Sequence, residues 1–506
     1  MSKRKIRMTG RNVATAIFLL LANFFIIIAF WKNVRFGTMD MTTILFQLKV
    51  PMGGADPKNF IEIFVLLFTI GPVMTAAEIG LFVLCGKWRC RRIGQGKKAQ
   101  VLTFVLKYRR LISVILMIAA FAFLGSQARM FRYEANQLRK TKIYEDEYVD
   151  PRKAEIEAPE KKRNLIWIYL ESMEITYTDT AHGGASEINL IPELTETALN
   201  GICFAASDSE KLNGAQSVVG TTWTMASLVA QTSGVPLTIP LGSSAIVKNR
   251  FMPGIYTLDE VLRDNGYERT MLLGSEKRFS GLDVFFETHG NETVKDLKYY
   301  TDNGILPEDY FVWWGFEDEK LYGYAKEEIA SLAAGDKPFA FSMMTMDTHF
   351  TDGYVCRLCG DEYPDQYSNV LVCASKQLKG FLDWLKEQPF YDDTTVIITG
   401  DHILPDTKYA DSITKRSGYD RRTYCVILNS AVTKDFPMAR DFTAMDMYPT
   451  ALTAMGFTIP GNRLGLGVNL FSGEKTLLEK YGVEKLDSML EKRSDFYEEL
   501  IYGPED

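Results

Sequence analysis

The chain is short of histidine and of net positive charge. Of 506 residues, 4 are histidines and 7 are cysteines, and 57 Lys+Arg face 64 Asp+Glu for a net charge of −7. A mildly acidic chain lacks the electrostatic footprint of a nucleic-acid binder, so no nucleic acid is expected as partner. There is no internal repeat and no low-complexity tract, which argues against a solenoid or an array. The length exceeds one ordinary core and predicts two or three units. With so few histidines, His402 demands a reason: it follows Asp401 directly where the β-branched run "TTVIITG" stops.

Acidic residues are missing altogether from Gly86 to Arg110, a stretch rich in Lys and Arg. On either side of it lie apolar segments, Phe60–Cys85 and Leu111–Ala128, and a third, Ala14–Trp31, follows a basic N-terminus. Each approaches the roughly 20 residues that span a bilayer. No small-residue cleavage site follows Trp31, so the first segment reads as an uncleaved anchor. The positive-inside rule puts the N-terminus and the basic connection in the cytoplasm, and everything after about residue 130 outside. Glu62, Glu78 and Pro72 in the second segment read as interfacial carboxylates and a tolerated kink. The expected organisation is a transmembrane region at 1–130 with helices near 14–31, 60–85 and 111–128. A charged linker, or a stalk lying along the domain, at 131–163, an α/β domain at 164–473 and a charged helical tail at 474–506 follow.

Cys85 and Cys90 fall at the cytoplasmic face and are expected as free thiols. "CRLC", Cys356 to Cys359, has no second pair at zinc-finger spacing. A disulfide is therefore expected outside the membrane, with the pairing among Cys203, Cys356, Cys359, Cys373 and Cys425 left open.

Short β runs alternate with helical stretches from Asn164 onward, which predicts a largely parallel sheet. "NLIWIYLES" ends on Glu171, "FAFSMMTMDTHF" on Asp347 and His349, and "TVIITGDH" on Asp401 and His402. Ligands of open parallel sheets collect at the carboxyl ends of strands, so Glu171, His349, Asp401 and His402 should converge. Singly, each is a polar strand terminus; together they read as a metal site. Two carboxylates and an imidazole suit one divalent cation: Mn²⁺ is preferred, with Mg²⁺ or Zn²⁺ as alternatives. A reacting hydroxyl is sought in "GTTWTMASLVAQTSGVPL", where Thr residues run into a helix start whose free N–H groups also welcome a phosphate. His182 and His289 are assigned no role.

This ordered set resembles the alkaline phosphatase/sulfatase superfamily. With three N-terminal spans it is similar to the lipoteichoic acid synthase and phosphoglycerol transferase group. "GTTWTMASLVAQTSGVPL", "MDTHFTDG" and "GNRLGLGVNLFSG" resemble the phosphoglycerol transferases of osmoregulated periplasmic glucans. The resemblance implies an extracytoplasmic sulfatase-like catalytic domain whose mostly parallel central sheet is flanked by helices. It implies Glu171, Asp401 and His402 as metal ligands and Thr224 as a nucleophile that also touches the metal, with Thr222 as the runner-up. It implies His349 as a phosphoryl contact, and it makes Lys277, Arg278 and Trp223 substrate-binding candidates. Arg421 and Arg422 are the candidates to add charge there, because no histidine follows His402 to support a second zinc.

The expected function is metal-dependent transfer of phosphoglycerol from phosphatidylglycerol in the bacterial inner membrane. The acceptor is a hydroxyl of a glycan or glycerol-phosphate polymer, reached through a phosphothreonine-type intermediate. The alternatives are phosphoethanolamine transfer to lipid A or glycan, and hydrolysis of the phosphatase or sulfatase kind. The sulfatase option lacks its Cys/Ser-x-Pro-x-Arg pattern around Thr224.

Overall fold

The computed structural model describes residues 10–37, 39–50, 57–92, 97–205, 212–239, 244–290, 293–433 and 435–503. They form two units, Met1–Met41 with Asp56–Tyr133, and Thr42–Ala55 with Glu134–Asp506.

Among the described residues of the first unit, three helices are long and apolar enough to cross a membrane: Asn12–Phe36, Phe60–Lys87 and Gln100–Gln127. Each runs past its expected apolar window, because flanking Lys, Arg and Gln are good helix formers and nothing stops the hydrogen-bond ladder. The second is interrupted by a π-helical turn, Leu66–Ile70, just ahead of Pro72, whose ring and missing N–H disturb the regular pattern. The two carboxylates of this segment are both engaged. Glu62 pairs with Arg35 at 2.7 Å, and Glu78 accepts from Asn23 Nδ2 at 3.1 Å.

The second unit is built on a six-stranded sheet. Its strands are β1 (Asn164–Leu170), β2 (Glu268–Leu273), β3 (Thr293–Lys295), β4 (Phe339–Met344), β5 (Thr394–Gly400) and β6 (Cys425–Leu428). The order is β6-β5-β1-β4-β2-β3, all parallel except the β6 edge. β5 is buried along its whole length, as expected of a β-branched run covered on both faces. Alternate residues of β1 feed two apolar layers. Trp167 and Tyr169 face one with the Thr224–Ser233 helix, and Ile166, Ile168 and Leu170 face the other with the Gln366–Lys386 helix. This is the predicted α/β sandwich, and the register pairs Leu170 with Gly400 and Tyr169 with Met344. The three strand ends therefore lie at one edge.

Three expectations about organisation need correction. The Met41–Lys49 helix, expected within the membrane region, contributes Phe46 to the second unit's core, where its ring lies 5.7 Å from Trp223. The stretch at 131–163 is no plain linker: Ile143 and Tyr144 are buried, with Tyr144 4.8 Å from the ring of Tyr497. The tail is not one solvated helix. Leu477–Tyr481, Val483–Leu490 and Asp495–Tyr502 bury Leu477, Leu478, Leu486, Leu490, Tyr497 and Ile501. Its charges lie on the outer faces of short helices, so composition masks a narrow apolar stripe.

Candidate active site

The edge of the sheet brings Glu171, Asp401 and His402 together, all buried, with one donor atom of each within 4.8 Å of the others. Each position follows from local structure. Glu171 is the residue after β1, and Asp401 and His402 follow β5. Gly400 is required by close approach: a Cβ there would stand 2.0 Å from Met173 O. Only glycine lets the two strand ends lie this near.

Hydrogen bonds orient the carboxylates so that one oxygen of each stays free. Asp401 Oδ1 accepts from the N–H of Ser172 at 2.8 Å and of His402 at 2.7 Å. Glu171 Oε1 accepts from Ser172 Oγ at 2.7 Å. Asp401 Oδ2 and Glu171 Oε2 are buried without a hydrogen-bond partner. Two orphaned, buried carboxylate oxygens are costly unless a cation meets them. His402 is in the matching tautomer. Its Nδ1 lies 2.9 Å from Ile403 O, so Nδ1 carries the proton and Nε2 keeps its lone pair. That Nε2 stands 3.4 Å from Asp401 Oδ2, 3.6 Å from Glu171 Oε1 and 3.4 Å from Thr224 Oγ1. Two ligands about 2.1 Å from one ion at the tetrahedral angle are about 3.4 Å apart. The residues therefore fit a divalent ion.

The electrostatics agree. Burial, then the neighbouring charge of Glu171, pushes the Asp401 carboxyl up to about 7. Burial alone would depress the His402 imidazole, but Asp401 and Glu171 outweigh it and raise its pKa. A cation removes both penalties by favouring the ionised carboxylate and the neutral imidazole.

Thr224 opens the Thr224–Ser233 helix, and no side chain caps that helix. Its hydroxyl is turned to His402 instead. Thr221 is spent locally, donating to Val218 O at 2.8 Å and accepting from Val218 N at 3.0 Å.

His349 follows β4 at the same edge, half-buried. Its Nδ1 lies 2.6 Å from Phe350 O, and its ring packs 4.5 Å from Trp314 and 4.9 Å from Phe350. Burial depresses its pKa to about 4, and the charge of His402 acts the same way.

The other candidates are placed differently. Trp223 is buried against Phe46, so its ring supports the helix start from the core. Lys277 and Arg278 follow β2 at the same edge; the Lys277 N–H donates to Asp296 Oδ2, and Arg278 is exposed. Arg421 is occupied too: it is paired with the buried Glu174 and donates to Leu404 O at 2.9 Å. Arg422 is paired with Asp420 and Asp441.

One residue escaped sequence reasoning. Ser172 holds both carboxylates through its N–H and hydroxyl, from a left-handed backbone at φ 50°. Such strain in a non-glycine residue collects at functional sites. Nothing in "LESM" announces it.

Fold and site together define an α/β protein with a divalent-ion donor set and a serving hydroxyl at the carboxyl edge of its sheet. The chain belongs to the sulfatase family, whose description matches residues 163–457. It is 28% identical over 337 residues to phosphoglycerol transferase I of Salmonella choleraesuis (strain SC-B67), and equally to that of Escherichia coli (strain 55989 / EAEC). Each match covers 65% of this chain and 41% of the relative, so the chain aligns with less than half the length of these relatives. Among solved structures, the lipoteichoic acid synthase LtaP of Listeria monocytogenes shares the fold. Its TM-score is 0.51 at 16% identity, over 65% of this chain and 80% of that one.

Proposed function

We propose that this protein is a metal-dependent phosphotransferase that moves phosphoglycerol from phosphatidylglycerol to a hydroxyl of a glycan or a glycerol-phosphate polymer. One observation carries the reading: the Thr224 hydroxyl meets His402 Nε2 beside two orphaned carboxylate oxygens. The likeness to phosphoglycerol transferase I supports the choice of group transferred. The three candidate spans support a donor that stays in the bilayer, with the α/β unit outside the cytoplasmic membrane as the basic connection implies.

Glu171, Asp401 and His402 would hold the ion, with Mn²⁺ preferred. Bound there, it supplies positive charge that lowers the pKa of the Thr224 hydroxyl and offsets charge on the phosphoryl oxygens. In the first step Thr224 Oγ1 forms a bond to phosphorus and loses its proton. The bond from phosphorus to the diacylglycerol oxygen breaks, and that oxygen takes up a proton. In the second step an acceptor hydroxyl oxygen replaces Thr224 Oγ1 on phosphorus, and the threonine hydroxyl is restored. His349 binds the phosphoryl group. A neighbouring phosphate raises the depressed pKa of its ring, which allows Nε2 to donate to a phosphoryl or departing oxygen.

The test is brief exposure of the full chain in detergent to phosphatidylglycerol, followed by peptide mass spectrometry. A phosphoglycerol adduct on Thr224 is expected. An adduct formed only from phosphatidylethanolamine would move the assignment to ethanolamine transfer. Headgroup release with no adduct and no acceptor product would move it to hydrolysis.

A further inference from the structure

The disulfide expected among the outer cysteines is not formed: Cys203, Cys373, Cys425 and the two of "CRLC", Cys356 and Cys359, are all free thiols. Cys373 joins the "CRLC" pair from the second turn of the Gln366–Lys386 helix. Cys356 Sγ is 3.6 Å from Cys359 Sγ and 3.6 Å from Cys373 Sγ, and all three sulfurs lie within 4.8 Å of one another. A disulfide would use two sulfurs and strand the third. These separations have another meaning. Thiolates about 2.3 Å from a tetrahedral zinc ion stand about 3.8 Å apart.

A second observation points the same way. One helical turn beyond Cys373, the side-chain amide of Gln377 places Nε2 3.3 Å from Cys373 Sγ and 3.8 Å from Cys356 Sγ. N–H donation to sulfur steadies a thiolate and is characteristic of the shell around a metal's ligands. Cys356 and Cys373 are buried, while Cys359 is half-buried, which gives water access to a fourth position. The cluster also sits where the fold needs a fastening. Residues 345–365, between β4 and the Gln366–Lys386 helix, contain no helix or strand. A connection this long inside a compact unit needs something to hold it. It carries Thr345 and Thr348, which bond the Glu171 backbone, and it presents His349.

We propose that Cys356, Cys359 and Cys373 bind a thiolate-preferring divalent cation of the Zn²⁺ class, which staples the His349-bearing loop to the Gln366–Lys386 helix. Binding releases the three thiol protons and leaves an anionic complex that the Gln377 amide faces.

Cobalt separates this site from the carboxylate–imidazole site, because only thiolate ligation gives an intense near-ultraviolet charge-transfer band. The full chain in detergent, reconstituted with Co²⁺, should show that band. It should persist in His402→Ala and vanish in Cys373→Ser. If Cys373→Ser fails to fold, unaltered protein decides: stripping zinc with a chelator should speed alkylation of the three thiols by about tenfold or more. The proposal is overturned by a disulfide among these residues in protein mapped without reductant, by a band that survives Cys373→Ser, or by alkylation rates indifferent to chelator.

Discussion

Thr224 Oγ1 lies 3.4 Å from His402 Nε2, while the other nitrogen of that imidazole is tied to Ile403 O at 2.9 Å. The backbone bond fixes the tautomer, and the tautomer aims a lone pair at the place where the threonine oxygen and two bare carboxylate oxygens meet. Helix start and strand end, far apart in sequence, thus share one small volume.

Replacing that oxygen tests its role most directly. Thr224→Ala should lower phosphoglycerol transfer by about 10³-fold or more, with folding unchanged, because the residue is half-exposed and caps nothing. Thr224→Ser should retain part of the activity. The check is the rate of headgroup transfer from labelled phosphatidylglycerol, alongside the melting profile.

Ion affinity should fall with acid. The Asp401 carboxyl, raised to about 7, must give up its proton to bind a cation, and His402, also raised, must be neutral. Both requirements fail in the same direction as pH drops through about 7. Titration calorimetry with Mn²⁺ should show affinity at about pH 6 weaker than at about pH 8 by roughly tenfold or more. A flat profile would contradict the coupling.

Gly400→Ala forces a methyl group into Met173 O, since the ideal Cβ lies 2.0 Å from it. The β1 and β5 ends must then separate, and Asp401 moves away from Ser172. We expect a loss of stability of about 1–3 kcal/mol together with weakened ion binding. Reduced thermal stability with unaltered Mn²⁺ affinity would show that the strand end adapts without moving the ligand.

The Arg421–Glu174 pair should matter to folding rather than to chemistry. Glu174 is fully buried and also accepts from Leu404 N at 2.8 Å and Thr176 Oγ1 at 2.6 Å. Arg421→Met leaves that carboxylate without its cation, at a cost of about 3–5 kcal/mol. The lowered unfolding midpoint should be largely recovered by adding Glu174→Gln.

What the sequence determined by itself is what short-range patterns encode. Apolar runs flanked by cations mark the helices long enough to span a membrane. The β-branched run into Gly400 marks a buried strand end, and the stops at Glu171, His349 and Asp401–His402 mark one edge of a parallel sheet. Only the tertiary structure decided which groups share space. It turned Ser172 to both carboxylates, sank Trp223 into the core, paired Arg421 with Glu174, and brought Cys373 to Cys356 and Cys359. The reason is physical: strand and helix periods depend on neighbours a few positions apart, whereas these meetings depend on how whole elements pack. Packing is set by the summed shape of a core, which no local window contains.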